Sequence, residues 1–238
     1  RLLTKSFEAN RLAHAYLITG PEKVGKRTLA LDMACMVNTE PVADMFGQSS
    51  DMDLSTSHQA ERIRAGIHAD VRVIDVDTET ECTNPNCPKW PPKKPYTVIS
   101  VHHIHTLIRY TSTTPFEGSK KVFIVENSQK MTQEAAGTLL KTLEEVHSDV
   151  LIVLIAPNVE SLSETVVSRC QIIELRPVES QVIESKLIEQ FEADEAQARL
   201  LSRLARGSPG WAIDAINDPT IIDAHNQAIL RFAEIVTG

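Results

Sequence analysis

The chain has 238 residues, 42% hydrophobic and 24% charged, with few aromatics and a formal net charge of −8. That length suits one large domain or two smaller ones, and the composition is that of a folded globular protein rather than a disordered or fibrous one. No run approaches the ~18 apolar residues of a membrane helix, and the acidic balance excludes a surface that grips nucleic acid all over, leaving room only for a local basic patch.

Taken in order, residues 1–13 read as a helix leading to a first strand, with His14 just before it in a structural or capping role. Ala15-Tyr16-Leu17-Ile18 is a short apolar run, followed by Gly20-Pro21-Glu22-Lys23-Val24-Gly25-Lys26-Arg27-Thr28 and a helical pattern to about Val37. Strand, glycine loop and helix in that order make a P-loop. Its backbone N–H groups and helix N-terminus form a nest for phosphate, with Lys26 reaching the β and γ phosphates. The next position normally carries a Ser or Thr that holds Mg²⁺. Here it is Arg27, whose guanidinium has only donors. Thr28 comes one residue late, turned roughly 100° around the helix.

Residues 38–70 are polar and irregular, with a helix expected around His58–Ala65. Val71–Val76 alternates as a second strand, and residues 77–97 form an insertion of Thr, Pro and Lys that reads as an exposed loop. Val101, Ile104, Leu107 and Ile108 stand at helical spacing within Val101–Thr111. Lys120–Val125 is a buried-type strand, Thr132 to about Glu145 a helix, Val150–Ala156 a central strand and Ile172–Leu175 a last one. This alternation predicts an α/β fold, a parallel sheet with helices on both faces. After Pro177 only amphipathic helices follow, at Ser180–Phe191, Ala193–Ala205, Gly210–Ile216 and Pro219–Val236. The division expected is therefore 1–176 for the α/β domain and 177–238 for a small helical lid. The chain opens on Arg1 close to its first strand, and its last helix lacks a partner, so further sequence is expected at both ends.

A nucleotide-hydrolysing P-loop protein needs a second strand ending in acids, an Asp for Mg²⁺ and a Glu to polarise water. The candidate ends Ile124-Val125-Glu126-Asn127-Ser128. Glu126 stands at the Asp position. Asn127 stands at the Glu position and cannot take up a proton at neutral pH. A strand end without catalytic duty is the reading adopted.

Four segments resemble the clamp-loader branch of the AAA+ ATPases, of the bacterial DNA polymerase III type. They are Ala13-His14-Ala15-Tyr16-Leu17 with the P-loop, Thr114-Pro115-Phe116-Glu117-Gly118, Leu139-Leu140-Lys141-Thr142-Leu143-Glu144-Glu145, and Ser168-Arg169-Cys170-Gln171. With the helical tail they cover nearly the whole chain in the family's order. The resemblance implies a RecA-like domain and lid, with a helical collar beyond the present C-terminus. It also implies that Arg169 serves as an arginine finger in the ATP site of a neighbouring subunit, where a guanidinium stabilises charge on the transferring phosphoryl group. The alternative for Arg169 is a surface ion pair.

Where an active ATPase of this family is exacting, the chain departs from the pattern. The sensor 1 position falls on Ala156-Pro157. The sensor 2 motif, Gly-Ser-x-Arg, becomes Gly207-Ser208-Pro209-Gly210, and Val146 replaces a Pro. With Arg27 and Asn127, four functions are lost in one site while Arg169 is kept. That asymmetry resembles the delta-prime type of subunit, which donates a finger but does not turn over ATP. The partners implied are gamma/tau and delta subunits, a sliding clamp and primed DNA, with no membrane. Two other readings stay open. One is a self-sufficient ATPase holding Mg²⁺ through Thr28 or Glu126. The other is a non-hydrolysing module in which Gly20, Val24, Gly25, Lys26, Arg27 and Thr28, as a degenerate P-loop, still cradle ATP or phosphate.

No cofactor is expected to be required. The family's four zinc cysteines look like Thr39, Leu54, Ser57 and Ala60 here, so zinc is not expected. A replacement site from Cys82, Cys87, His102, His103 and His105 is the alternative, at looser spacing than zinc modules use. Cys35 reads as core and Cys170 as part of the Ser-Arg-Cys motif. The four cysteines are too sparse for a disulfide scaffold and, with a nucleotide-type loop, point to a reducing cytoplasm.

Overall fold

The computed structural model describes residues 12–39, 57–78, 97–145, 147–218, 220–223, 227 and 231. The helix expected over residues 1–13, most of the 77–97 insertion with Cys82 and Cys87, Val146 and much of the 219–236 segment therefore lie outside the described residues.

Five strands form one sheet: β1 (Ala15–Thr19), β2 (Val71–Ile74), β3 (Lys121–Val125), β4 (Val150–Ala156) and β5 (Gln171–Glu174). Their spatial order is β2-β3-β4-β1-β5, and every pairing is parallel. Parallel strands need crossovers, and here helices supply them. The described helices of this part are α1 (Lys26–Asn38), α2 (His58–Arg64), α3 (Val101–Thr111), α4 (Gln133–Glu145) and the short α5 (Glu164–Val167). Every residue of β1, β3 and β4 is buried. This is why those stretches read as continuous apolar runs instead of alternating ones. β4 lies in the middle of the sheet, as its apolar sequence predicts.

β2 ends at Ile74, two residues earlier than its alternation suggests. Asp75 turns the chain there: its carboxylate accepts the Val76 N–H at 2.7 Å, and its own N–H donates to Thr78 Oγ1 at 2.8 Å. Lys121 is an unexpected buried cation at the start of β3. Its ammonium donates to the Tyr110 carbonyl at 2.7 Å and to Thr113 Oγ1, at the C-terminal end of α3, where a positive charge is favoured. Arg72 stacks its guanidinium over the Tyr110 ring, 5.0 Å from the centroid.

By contacts the chain divides into two compact units. One contains the sheet with Lys26–Glu174, and the other gathers Gly20–Gly25 with the chain from Leu175 onward. The second unit is helical: α6 (Ser180–Phe191), α7 (Glu195–Leu204) and α8 (Pro209–Asn217). They bury Ile183, Leu187, Ala198, Leu201, Ala212 and Ala215 in a core of their own. Asp194 caps α7 by accepting the Gln197 N–H at 2.9 Å.

Candidate functional site

The glycine loop leaves β1 at Gly20, with φ +143°, and passes Lys23 at +58° and Gly25 at +105°. Gly20 could carry no side chain, since a Cβ there would stand 2.4 Å from the Leu175 carbonyl oxygen. Val24 is buried, whereas Lys26 is partly buried and Thr28 is exposed. Within the helical unit the loop is tied to the segment that carries the altered lid motif. Ser208 Oγ donates to the Glu22 carbonyl at 2.9 Å, the Gly210 N–H donates to the Lys23 carbonyl at 2.9 Å, and Lys23 Nζ pairs with Asp214 at 2.7 Å. A Cβ at Gly210 would lie 2.8 Å from the Lys23 carbonyl oxygen. The residue standing where the family has its lid arginine is thus held against backbone, where a long side chain meets a steric clash.

In the sheet unit, Arg27 and Glu126 meet. Arg27 Nε lies 3.1 Å from Glu126 Oε1, and Nη1 lies 3.5 Å from Oε2. Glu126 is the more buried partner. Burial pushes its carboxyl above the ordinary range and Asp75 adds to this, while Arg27 pulls it back. The following residue, Asn127, takes a left-handed conformation (φ 51°) and donates from Nδ2 to Asp75 Oδ1 at 3.0 Å. It is spent on the turn that ends the strand. Ala156 is buried at the end of β4, and Ser128 Oγ donates to the neighbouring Ile155 carbonyl at 2.8 Å. The residues present do not fit Mg²⁺. The position that should offer a hydroxyl offers a cation, and that cation is already paired with the acid.

Ser168 and Arg169 follow α5 and lead into β5. Arg169 is partly exposed and forms an ion pair with Glu144 near the end of α4, donating from Nε at 2.9 Å and also from Nη2. Its Nη1 donates to the Thr165 carbonyl at 2.8 Å. Two stretches of the clamp-loader resemblance, at 139–145 and 168–171, are thereby brought together. Cys170 packs on the sheet core, and burial pushes its thiol up to about 11. It serves packing, not reactivity.

A second cluster escaped sequence reasoning. The carboxylate of Asp70 is buried and accepts three backbone N–H groups, from Phe116 (2.8 Å), Glu117 (2.7 Å) and Gly118 (2.8 Å). Burial alone would raise its pKa, but these three donors and nearby His68 bring it below the ordinary value. Glu117 in turn takes a forked pair of bonds from Arg62, at 2.6 and 3.0 Å, plus the Ala69 N–H at 2.9 Å. The Arg62 bond, followed by the Ala69 donor, holds the Glu117 carboxyl down at about 2. The loop 114–118 is therefore fixed while it displays Phe116, 86% exposed. Its legible trace was the Pro-Phe-Glu-Gly turn; the anchor, Asp70, lies more than forty residues away in sequence.

Of the histidines weighed as metal ligands, His103 is buried and its Nδ1 accepts the Ser100 N–H at 3.1 Å. Among the described residues no group of three or more His, Cys, Asp or Glu is arranged to hold a metal ion, and no helix is long and apolar enough to cross a membrane.

A five-stranded parallel sheet beginning with strand, glycine loop and helix, followed by a helical unit, is the RecA-like fold of AAA+ proteins. Solved structures agree at the level of fold. The Thermotoga maritima DNA polymerase III gamma subunit-related protein superposes with a TM-score of 0.52 at 21% identity, covering 87% of this chain and 59% of that one. The Thermotoga maritima RuvB Holliday junction branch migration motor gives 0.55 at 14% identity, covering 90% and 57%. The chain belongs to the DNA polymerase III, delta subunit family, whose model matches residues 1–179. It is 31% identical to the DNA polymerase III subunit delta' of Bacillus subtilis, over 86% of this chain and 54% of that protein. It is 29% identical to the Pseudomonas aeruginosa subunit delta', over 66% and 42%, and 24% identical to the Escherichia coli subunit tau, over 99% and 33%. The chain thus spans about half the length of the delta' relatives it matches, or less.

Proposed function

We propose that the chain acts as a delta-prime-like subunit of a bacterial DNA polymerase III clamp loader that does not hydrolyse ATP itself. In this reading it works in the cytoplasm beside gamma/tau and delta subunits, and helps place a sliding clamp on primed DNA. Arg169 reaches the ATP held by a neighbouring motor subunit and stabilises charge on the transferring phosphoryl group. No metal or other cofactor is needed in the chain's own site, which keeps at most a residual affinity for ATP or phosphate through the degenerate P-loop.

The observation that carries the reading is the Arg27–Glu126 pair. A guanidinium placed at the metal-hydroxyl position, and bonded to the acid that would orient the metal, opposes Mg²⁺ on charge as well as on ligand type. Asn127 turned onto Asp75 and Gly210 pressed on backbone support it.

The test is ATP turnover with Mg²⁺ by the full-length subunit, alone and then with its gamma/tau partner. No turnover alone, together with complex ATPase that falls when Arg169→Ala is introduced, is the expected result. Turnover by the subunit alone would overturn the reading in favour of a self-sufficient ATPase.

A further inference from the structure

Arg169 is held from two directions. On α4, Glu144 Oε1 accepts from Nε at 2.9 Å and from Nη2. From α5, the Thr165 carbonyl accepts from Nη1 at 2.8 Å, and Ser168 Oγ lies 3.4 Å from the same nitrogen. A guanidinium carries five N–H donors. Glu144 takes Nε and one N–H of Nη2, and Thr165 takes one N–H of Nη1. The second N–H of Nη2 is not used by these partners, and the second of Nη1 meets only the long contact to Ser168. Among the described residues, two donors, one on each terminal nitrogen, thus remain for an outside acceptor.

Both anchors are themselves fixed. Leu143, next to Glu144, is buried in the sheet core, and Cys170, next to Arg169, packs against the same core. The pair is therefore set by two rigid neighbours, although the side chains are 36% and 53% exposed for Arg169 and Glu144. An untethered arginine samples many rotamers, and a charge acting on a transferring phosphoryl group is useful only at one place.

Resting on the reading of Arg169 as a finger, we infer that Glu144 is its positioning residue. Glu144 holds the Nε edge of the guanidinium and fixes its plane, leaving Nη1 and Nη2 to address the anionic oxygens of a nucleotide bound by the neighbouring subunit. Glu144 touches neither nucleotide nor metal. It acts through Arg169.

The experiment uses the clamp loader reconstituted with the full-length subunit, carrying Arg169→Ala, Glu144→Ala, Glu144→Gln or the Ala/Ala pair. ATPase kcat and KM are followed together with hydrogen exchange at the Arg169 Nε–H, read by NMR on the subunit alone. The expected results are a fall in kcat of roughly two- to fivefold in Glu144→Ala, the scale of one exposed ion pair, and recovery of most of it in Glu144→Gln, which keeps an acceptor oxygen. The double variant should equal Arg169→Ala. Exchange at Nε should quicken in Glu144→Ala while the subunit's melting temperature holds, which separates positioning from a general loss of structure. If Arg169→Ala lowers kcat but Glu144→Ala leaves it unchanged or raises it, the positioning role is overturned and the finger survives. If Arg169→Ala leaves kcat unchanged, the finger reading itself falls, and this inference with it.

Discussion

Arg27 lays its guanidinium on Glu126, Nε 3.1 Å from Oε1, and so joins the first turn of α1 to the end of β3 by charge. In a metal-using P-loop protein the same two positions are joined through Mg²⁺.

Removing either side chain should reveal which partner needs the other. Arg27 is 62% exposed and Glu126 only 15%, so Arg27→Ala leaves a half-buried carboxylate beside Asp75 without its counter-charge. A loss on the order of 0.5–1 kcal/mol is expected, as for exposed pairs. Glu126→Gln should be neutral or slightly stabilising at pH 7. The Glu126 carboxyl is raised in the folded state. The folded chain therefore binds more protons than the unfolded one just above the ordinary carboxylate range, and stability falls as pH rises through that window. Denaturant melts between pH 4 and 7 should show this slope in the native chain and a flatter one in Glu126→Gln.

Asp70→Asn should be among the most damaging single-atom changes in the sheet unit. It replaces a buried acceptor of three backbone N–H groups with a group that must turn an NH₂ toward one or more of them. A cost of about 2–4 kcal/mol is expected, read as a lowered denaturation midpoint. Phe116→Ser, on the same loop but 86% exposed, should change stability by less than about 0.5 kcal/mol.

Acid should loosen the same loop in two steps. Burial holds His68 neutral and its pKa low, so the stability it contributes is full above its unfolded pKa of ~6.5 and fades as pH falls through the lower folded value. Glu117, held at about 2 first by Arg62, contributes above the ordinary range near 4.3 and loses that contribution as pH falls toward about 2. In Glu117→Gln the second decline should shrink, while the first should extend to lower pH, because the Glu117 charge that lifts His68 is gone. Circular dichroism melts across pH 2–7 would measure both.

Restoring an arginine at Gly210 should fail structurally before it could restore any function. The new Cβ would stand 2.8 Å from the Lys23 carbonyl oxygen, and the Gly210 N–H bond to that oxygen leaves little freedom to retreat. Gly210→Arg and Gly210→Ala should each cost about 1–3 kcal/mol, seen as a lower melting temperature. Equal damage from Ala and Arg would locate the conflict at Cβ rather than in the longer side chain.

Most of the architecture was readable because burial leaves a plain record. A strand covered on both faces must be apolar throughout, so β1, β3 and β4 announce themselves, and Ile104 and Leu107 mark the buried stripe of α3. The departures at Arg27, Asn127, Ala156 and Gly210 were likewise legible, because each is a change of chemical type at a position whose demands are narrow. Arg169 pairs with Glu144, and spacing gave no means to foresee that partner.

What the sequence determined by itself is therefore the kind of layers, their order along the chain, and which residue types stand at the P-loop's exacting positions. These follow from residue type and local period. The tertiary structure alone decided the strand order β2-β3-β4-β1-β5 and the partners of the isolated charges. It turned Asp70 onto loop 116–118, Arg27 onto Glu126, Glu144 onto Arg169 and Gly210 onto the Lys23 carbonyl. The physical reason is range. A carboxylate's partner is whichever donor the packed core brings within about 3 Å, and nothing in its own neighbourhood along the chain names that donor.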